Sequence, residues 1–525
     1  MRTAETILNI IQDRGTRGLP LEDVYRQLYN PDLYLRAYAR ISKNDGAMTP
    51  GTTDETVDGM SQGKIAKIIG AIRFERWQWT PVRRVERPKS NGKTRPLGIP
   101  TWSDKLLQEV IRMILEAYYD PQFSDHSHGF RPKRGCHTAL TQIHKNWLGT
   151  KWFIEGDIKG CFDHIDHTIL INILREKIHD NRFLRLIEGL LKAGYCEEWW
   201  YHPSLGGTPQ GGVVSPLLSN IYLDRLDRFV TERLLPAYTR GTRRKDHREY
   251  IRIKSLSKYY RETGRYEKAE DLRRQAQAYP SQDPSDPGYR RLRYVRYADD
   301  FLLGLAGPKA EAEEIREKLA TFLQQDLKLT LSAEKTLITH AQTGRARFLG
   351  DEIGIMASQT KYDSRRQRSL NGEVGLYIPQ GLVENKRQRF LRNGKTIHRA
   401  ELTREHEHDI VYHYQWEYRG LVEYYALAQN LSSLSYLHWT METSLLKTLA
   451  NKFRTTVKKT AGRLRSTWQT PSGPRHCLKV IVPREGKKPL VAVFGGLSLK
   501  RRPNATIQDQ VSMPFVHSRS GLIER

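Results

Sequence analysis

Between the apolar runs Tyr294-Val-Arg-Tyr297 and Phe301-Leu-Leu-Gly304 the chain sets two consecutive aspartates, Asp299 and Asp300. Side chains alternate across a strand, so neighbouring residues cannot face the same way within regular β-structure. The pattern predicts two strands over residues 291–305, folded about a tight turn near Ala298 and Asp299. A bare Asp-Asp pair is ordinarily a solvated turn. Here the apolar flanks imply burial, and buried adjacent carboxylates repel each other unless a cation lies between them. A third carboxylate, Asp157, ends an earlier strand pattern over 152–158. Hard Mg²⁺ takes a few carboxylates, waters and substrate phosphates. Two such ions about 4 Å apart can activate a 3′-hydroxyl and stabilise a leaving pyrophosphate.

The rest of the composition narrows the partner. The chain has 525 residues and a formal net charge of +27, with 86 Lys and Arg against 59 Asp and Glu. Much of that excess lies in two regions. Residues 236–293 hold 16 basic against 8 acidic residues, and 380–525 hold 25 against 11. A nearly balanced middle flanked by basic appendages suggests chemistry in the core and phosphate contacts outside it. No run reaches the roughly 18 apolar residues of a membrane span, and the first residues lack the apolar core of a secretory signal. Cys136, Cys161, Cys196 and Cys477 form no CxxC pair, which excludes a disulfide scaffold and a paired-thiolate zinc site. An intracellular protein with a polyanionic partner is expected, without membrane contact.

Coarse periodicity organises the chain. Residues 1–80 read as helices around a polar loop at 42–59, and 106–119 reads as an amphipathic helix. Ser215 and Pro216 signal a helix start, with the serine as N-cap. Residues 236–293, polar and carrying Pro280, Pro284 and Pro287, read as an insertion between that helix and the 291–305 hairpin. Helices return from about 380 to 465, with Lys447, Lys452, Arg454, Lys458 and Lys459 expected along one of them. In 411–429 the aromatics Tyr412, Tyr414, Trp416, Tyr418, Tyr424 and Tyr425 are read first as core residues and second as base platforms.

Tyr297-Ala-Asp-Asp300 resembles the catalytic box of reverse transcriptases, and further blocks follow that family's order. They are Lys93-Thr-Arg-Pro-Leu-Gly-Ile-Pro100, His128-Gly-Phe-Arg-Pro132, Asp157-Ile-Lys-Gly-Cys-Phe162 with Asp163-His-Ile-Asp166, Thr208-Pro-Gln-Gly-Gly212, and Arg347-Phe-Leu-Gly350. Over roughly residues 30–470 the chain is similar to the reverse transcriptase of group II introns, the intron-encoded maturase. The resemblance implies an α+β right-hand polymerase. Its parts would be an N-terminal extension (1–80), fingers and palm (81–375) with the basic insertion, a helical thumb or maturase domain (376–470), and a basic DNA-binding region (471–525). No nuclease domain is expected, because beyond residue 470 the chain has only Cys477 and scattered histidines, without cysteine pairs.

By the same resemblance Asp157, Asp299 and Asp300 would bind two Mg²⁺, with the Ile158 carbonyl as a further ligand. Lys89 and Arg95 would clasp the triphosphate, a role suited to a point charge and a forked donor. Phe162 would crowd the 2′ position and favour deoxynucleotides, or else is a core phenylalanine. Gln210 would line the incoming nucleotide, beside glycines that permit close backbone approach. Lys335 matches a block near the nucleotide site, and Phe348-Leu-Gly350 resembles the primer grip. Phosphate contacts are assigned to Arg243, Arg244 and Lys245 in the insertion, to Lys452, Arg454, Lys458 and Lys459 in the thumb, and to Lys500, Arg501 and Arg502 in the tail. The implied partners are dNTPs, the parent group II intron RNA and target DNA, in a bacterial cytoplasm and on the nucleoid when DNA is bound. An RNA-dependent RNA polymerase, a splicing-only RNA-binding factor and a defence-type reverse transcriptase are the alternatives. Tyr297, Ala298 and Phe162 argue against the first, the intact acids and Gln210 against the second, and the thumb and basic tail against the third.

Overall fold

The computed structural model of the chain describes residues 2–507, apart from 45, 89–91, 93, 198–199, 203, 205, 209–210, 359–360, 362–371 and 472. Lys89 and Gln210 therefore lie outside the described residues. The described chain divides into two units, 2–135 with 150–339, and 136–149 with 340–507.

The first unit has its own apolar core around the helix Trp102–Tyr119. Helices Ala4–Thr16, Pro31–Ile41 and Gln62–Arg73 precede it, each begun by a side-chain cap from Thr3, Asn30 or Ser61, as short polar residues at the first turn favour. The 102–119 helix carries the expected apolar stripe, but its polar side is covered as well. It is buried nearly all round, and its polar residues pair internally. Arg112 donates to Glu109 at 2.7 Å and to Glu116 at 2.6 Å, and Arg40 approaches Glu109 at 3.4 Å. Buried charge is tolerated there because opposite charges and hydrogen bonds replace water.

Two four-stranded sheets stand in this unit. One has the order Thr94–Ile99, Val82–Pro88, Tyr195–Glu197, Trp200–His202. The other has the order Arg291–Tyr297, Asp300–Ala306, Trp152–Asp157, Ile338–His340. Helix Ser215–Arg228 begins one residue earlier than expected. Val214 is the N-cap and makes no side-chain cap bond, and Ser215 is already helical, with Pro216 in the first turn. The insertion forms a helical hairpin, Arg248–Glu262 and Tyr266–Ala276. Its neck is closed by reciprocal backbone hydrogen bonds between Arg240 and Arg290, at 3.1 and 3.0 Å.

The second unit has a separate core. A sheet of Val374–Tyr377, Asp351–Ile355 and Ala346–Phe348 is followed by helices Glu407–Tyr424, Leu434–Lys452 and Val457–Leu464. A three-stranded antiparallel sheet closes it, Arg465–Thr470, Gly473–Arg484 and Lys487–Gly495. Alternation puts Leu478, Val480, Ala492 and Phe494 into the helical core. Among the described residues no helix is long and apolar enough to cross a membrane.

Two expectations change here. The lysines and arginines of 447–459 do not share one helix. The chain breaks after Lys452, Arg454 takes φ 49°, and Lys458 and Lys459 open the next helix. The 411–429 aromatics divide. Tyr414, Tyr418 and Tyr425 are core, whereas Tyr412 and Trp416 stay 50 % and 61 % exposed, because a helix turns successive residues to different sides.

Candidate active site

Strand Trp152–Asp157 pairs antiparallel with Asp300–Ala306, so that Asp157 stands directly opposite Asp300. Tyr297 closes the hairpin on the other side of Asp300. Cross-strand partners share a face, so the Asp157 and Asp300 carboxylates project side by side. The two-residue loop Ala298–Asp299 carries the third at the end of both strands. Ala298 sits at φ 55°, a left-handed conformation that costs a residue with a Cβ. The His128-Gly-Phe block explains how it is held. His128 N donates to Arg296 O at 2.9 Å, and Arg296 N to His126 O at 2.8 Å. A Cβ on Gly129 would come within 2.6 Å of the Ala298 nitrogen, so the close approach requires glycine.

The carboxylates perturb one another. Burial, then the charges of Asp299 and Asp157 and a hydrogen bond with Asp157, push Asp300 up to about 7. Burial and the Asp157 charge also raise Asp299, against the opposing charges of Arg95 and Lys335. Lys335 places its ammonium 3.0 and 2.9 Å from the two Asp157 oxygens, and that bond lifts its own pKa above the usual lysine value. A single ammonium thus already sits on Asp157, and its charge also reaches Asp299 and Asp300. Among the described residues no group of three or more His, Cys, Asp and Glu is by itself placed to hold a metal ion. The donor set instead suits hard ions that share their coordination with water and substrate phosphates.

Several predicted residues meet at this point. Arg95, on the strand Thr94–Ile99, is close enough to Asp299 to lower its pKa. Ile158 is bridged to Leu331 through Lys159 N to Thr330 O and Ser332 N to Asp157 O. In such a non-hydrogen-bonded antiparallel pair the residue's own carbonyl turns away from the partner strand. Phe162 is 9 % exposed in the short helix Cys161–His164, and its carbonyl accepts from Thr208 N at 2.7 Å. That bond ties Thr208 to the short helix that follows the Asp157 strand. Gly211, at φ 109°, packs where a Cβ would meet Gly98 O at 2.5 Å. The two glycine-bearing blocks thus touch each other.

Other block residues serve as supports. Asp166 caps helix His167–Arg175 by accepting from Ile169 N at 2.9 Å and pairs with Lys328 at 2.6 Å. Arg131 is buried and donates to Asp120, Ser124 O and Ser127 O.

The predicted phosphate contacts are scattered. Arg243 is exposed and paired with Asp246, Arg244 lies over the Tyr289 ring, and Lys245 is exposed. In the second unit Arg454, Lys458, Lys459 and Lys500 are exposed, while Lys452 donates to Thr403 O. Arg501 donates to Leu427 O and Arg502 to Glu423, so both are engaged by the protein itself. Sequence reasoning passed over Arg296, Asp227 and Asn220, which lie directly beneath the turn. An arginine in the stretch Tyr294-Val-Arg-Tyr297, immediately before the Ala298–Asp299 turn, was the available signal.

Comparison with known proteins adds to this geometry. The family described as reverse transcriptase (RNA-dependent DNA polymerase) matches residues 87–353, and type II intron maturase matches residues 378–478. The chain is 42 % identical over 476 residues to group II intron-encoded protein LtrA of Lactococcus lactis subsp. cremoris, covering 85 % of this chain and 78 % of that protein. It is 36 % identical over 443 residues to the putative COX1/OXI3 intron 1 protein of Saccharomyces cerevisiae, covering 81 % and 52 %. It is 24 % identical over 364 residues to nuclear intron maturase 1, mitochondrial, of Arabidopsis thaliana, covering 59 % and 44 %.

Proposed function

This chain belongs to the group II intron-encoded proteins, in which a reverse transcriptase is joined to an intron maturase, and from that premise we propose how its residues divide the work. Asp157, Asp299 and Asp300, with the Ile158 carbonyl, hold two Mg²⁺, which when bound acidify the primer 3′-hydroxyl and neutralise charge on the departing pyrophosphate. The pairing of Asp157 with Asp300 beside the 298–299 turn carries this reading.

The surrounding residues orient the substrates. Arg95 and Lys335 offer positive charge on the side of Asp299 and Asp157, where a triphosphate needs it. Lys89 and Gln210, outside the described residues, complete the nucleotide site. Phe162 restricts the 2′ position and so selects dNTPs. The polymerase is a right hand, with fingers and palm over 81–375, a thumb over 376–470, an N-terminal extension over 1–80 and a basic region over 471–525.

The maturase role rests on the second unit and on the basic insertion. Arg243, Arg244 and Lys245, with Lys452, Arg454, Lys458 and Lys459, contact phosphates of the parent intron RNA. The RNA supplies the splicing chemistry and the protein stabilises its folded form. Lys500 and the basic residues of the last sheet contact target DNA when the ribonucleoprotein inserts the intron. This work takes place in the bacterial cytoplasm and at the nucleoid.

An Asp299→Ala variant tests the assignment. It is expected to lose cDNA synthesis on an RNA template while binding the intron RNA as the unsubstituted chain does. Undiminished synthesis by the variant would overturn the site.

A further inference from the structure

The catalytic turn stands on a buried arginine. Arg296 pairs across the hairpin with Phe301, a core residue, and therefore points to the face opposite Asp157 and Asp300. It is fully buried, and each of its five N–H groups has an acceptor. Nε and Nη2 grip Asp227 at 2.8 and 2.6 Å. Nη2 also donates to Ser127 Oγ at 2.9 Å, and Nη1 to Asn220 Oδ1 at 3.0 Å. The last donor, on Nη1, reaches the carbonyl of Ala298 at 2.8 Å. Asp227 further accepts from Tyr294 Oη at 2.8 Å, and Asn220 donates to Gly129 O at 2.8 Å.

Stability alone does not call for this arrangement. A buried ion pair is expensive to desolvate, and a well-packed apolar side chain often serves the fold as well. An apolar residue cannot hydrogen-bond the backbone of the turn. The Arg296 fork is fixed by Asp227 on one side and directs its remaining N–H groups, so the Ala298 carbonyl has one place to be. Ala298 needs such a hold, because its left-handed φ is unfavourable for alanine and persists only where the surroundings over-determine it. The adjoining residue is Asp299.

We infer that Arg296, held by Asp227 and Asn220, is a positioning residue for the polymerase reaction: it sets the backbone of Ala298 and through it the carboxylates of Asp299 and Asp300. The inference rests on the proposed active site, and its test fails separately from that reading. Primer extension by the unsubstituted chain tests the polymerase assignment, and the rate of the variants relative to it tests the clamp.

Arg296→Lys keeps the buried positive charge but lacks the fork. Its kcat on an RNA template–primer should fall by roughly ten- to a hundredfold, the cost of misplacing reacting groups by about 1 Å. KM for dNTP, template–primer affinity and Tm should stay near those of the unsubstituted chain, and the Mg²⁺ concentration for half-maximal rate should rise. Adding Ala298→Gly should recover several-fold of the lost kcat, since glycine takes φ 55° without strain. A kcat within twofold of the unsubstituted chain overturns the inference. So does a parallel loss of kcat, duplex affinity and Tm, which marks a structural role only, or a failure of Ala298→Gly to recover activity. Should Arg296→Lys not fold, Ser127→Ala carries the test by removing one acceptor and leaving the Asp227 pair. Lower kcat at unchanged Tm supports the clamp, and unchanged kcat refutes it.

Discussion

Asp300→Asn should make the metal-free protein more stable while abolishing synthesis, and the gain should depend on pH. The unfolded carboxyl ionises near 3.8 and the folded one near 7, chiefly because burial disfavours its charge. The folded value is the higher, so the folded state binds the proton more tightly. The resulting stabilisation is complete below the unfolded value, is lost as pH rises through the folded value, and levels off above it. Three pH units correspond to about 4 kcal/mol of cost to the fold above pH 7. Asparagine is nearly isosteric and carries no charge to desolvate. The variant should therefore exceed the unsubstituted chain by up to about 4 kcal/mol at pH 8 and by only about 1.5 kcal/mol at pH 5. Urea unfolding in EDTA at both pH values reads this difference. Mg²⁺ should shrink the gap at pH 8, because an ion favours the carboxylate that asparagine has replaced. A gap of the same size at both pH values, or a variant less stable than the parent at pH 8, would refute the account of a strained acidic cluster.

The same carboxyl links pH to the metal requirement. A proton competes with Mg²⁺ for Asp300, so the Mg²⁺ concentration for half-maximal cDNA synthesis should rise by about tenfold per pH unit below 7; Mg²⁺ titrations at pH 6 and 7.5 check this. Gly129→Ala should push the Ala298 nitrogen aside and lower kcat by at least tenfold with little effect on intron affinity, as steady-state extension and filter binding will report. Excising residues 243–287 across the closed neck should leave extension on an unrelated RNA template within about twofold. The same excision should weaken intron RNA binding and flatten its salt dependence, since fewer phosphates are then neutralised by the protein.

Much of the site was legible along the chain because its chemistry demands particular residue types in runs. Acids at a bend between apolar strands, glycines where backbones touch, and a strand ending in Asp157 all announce themselves locally. The helix caps at Thr3, Asn30 and Ser61 follow from the same local rules. What could not be read was the use made of individual charges. Asp166 and Arg131, inside blocks that resemble the family's motifs, turn out to cap and brace. Arg501 and Arg502 look like a nucleic-acid contact in sequence and instead bind Leu427 and Glu423. The 102–119 helix shows one apolar stripe, but Arg112 and Arg40 neutralise its acids and allow burial on every side.

Residue order alone determined the strands that carry the acids, the turn between them, the basic appendages and the family, because period, turn chemistry and motif spacing are properties of short segments. Tertiary structure alone decided that Asp157 faces Asp300, that Lys335 pairs with Asp157, and that Arg296 reaches the turn from below. Those relations depend on register between strands and on burial. Register and burial arise from the summed packing of distant segments, which no local stretch of chain encodes.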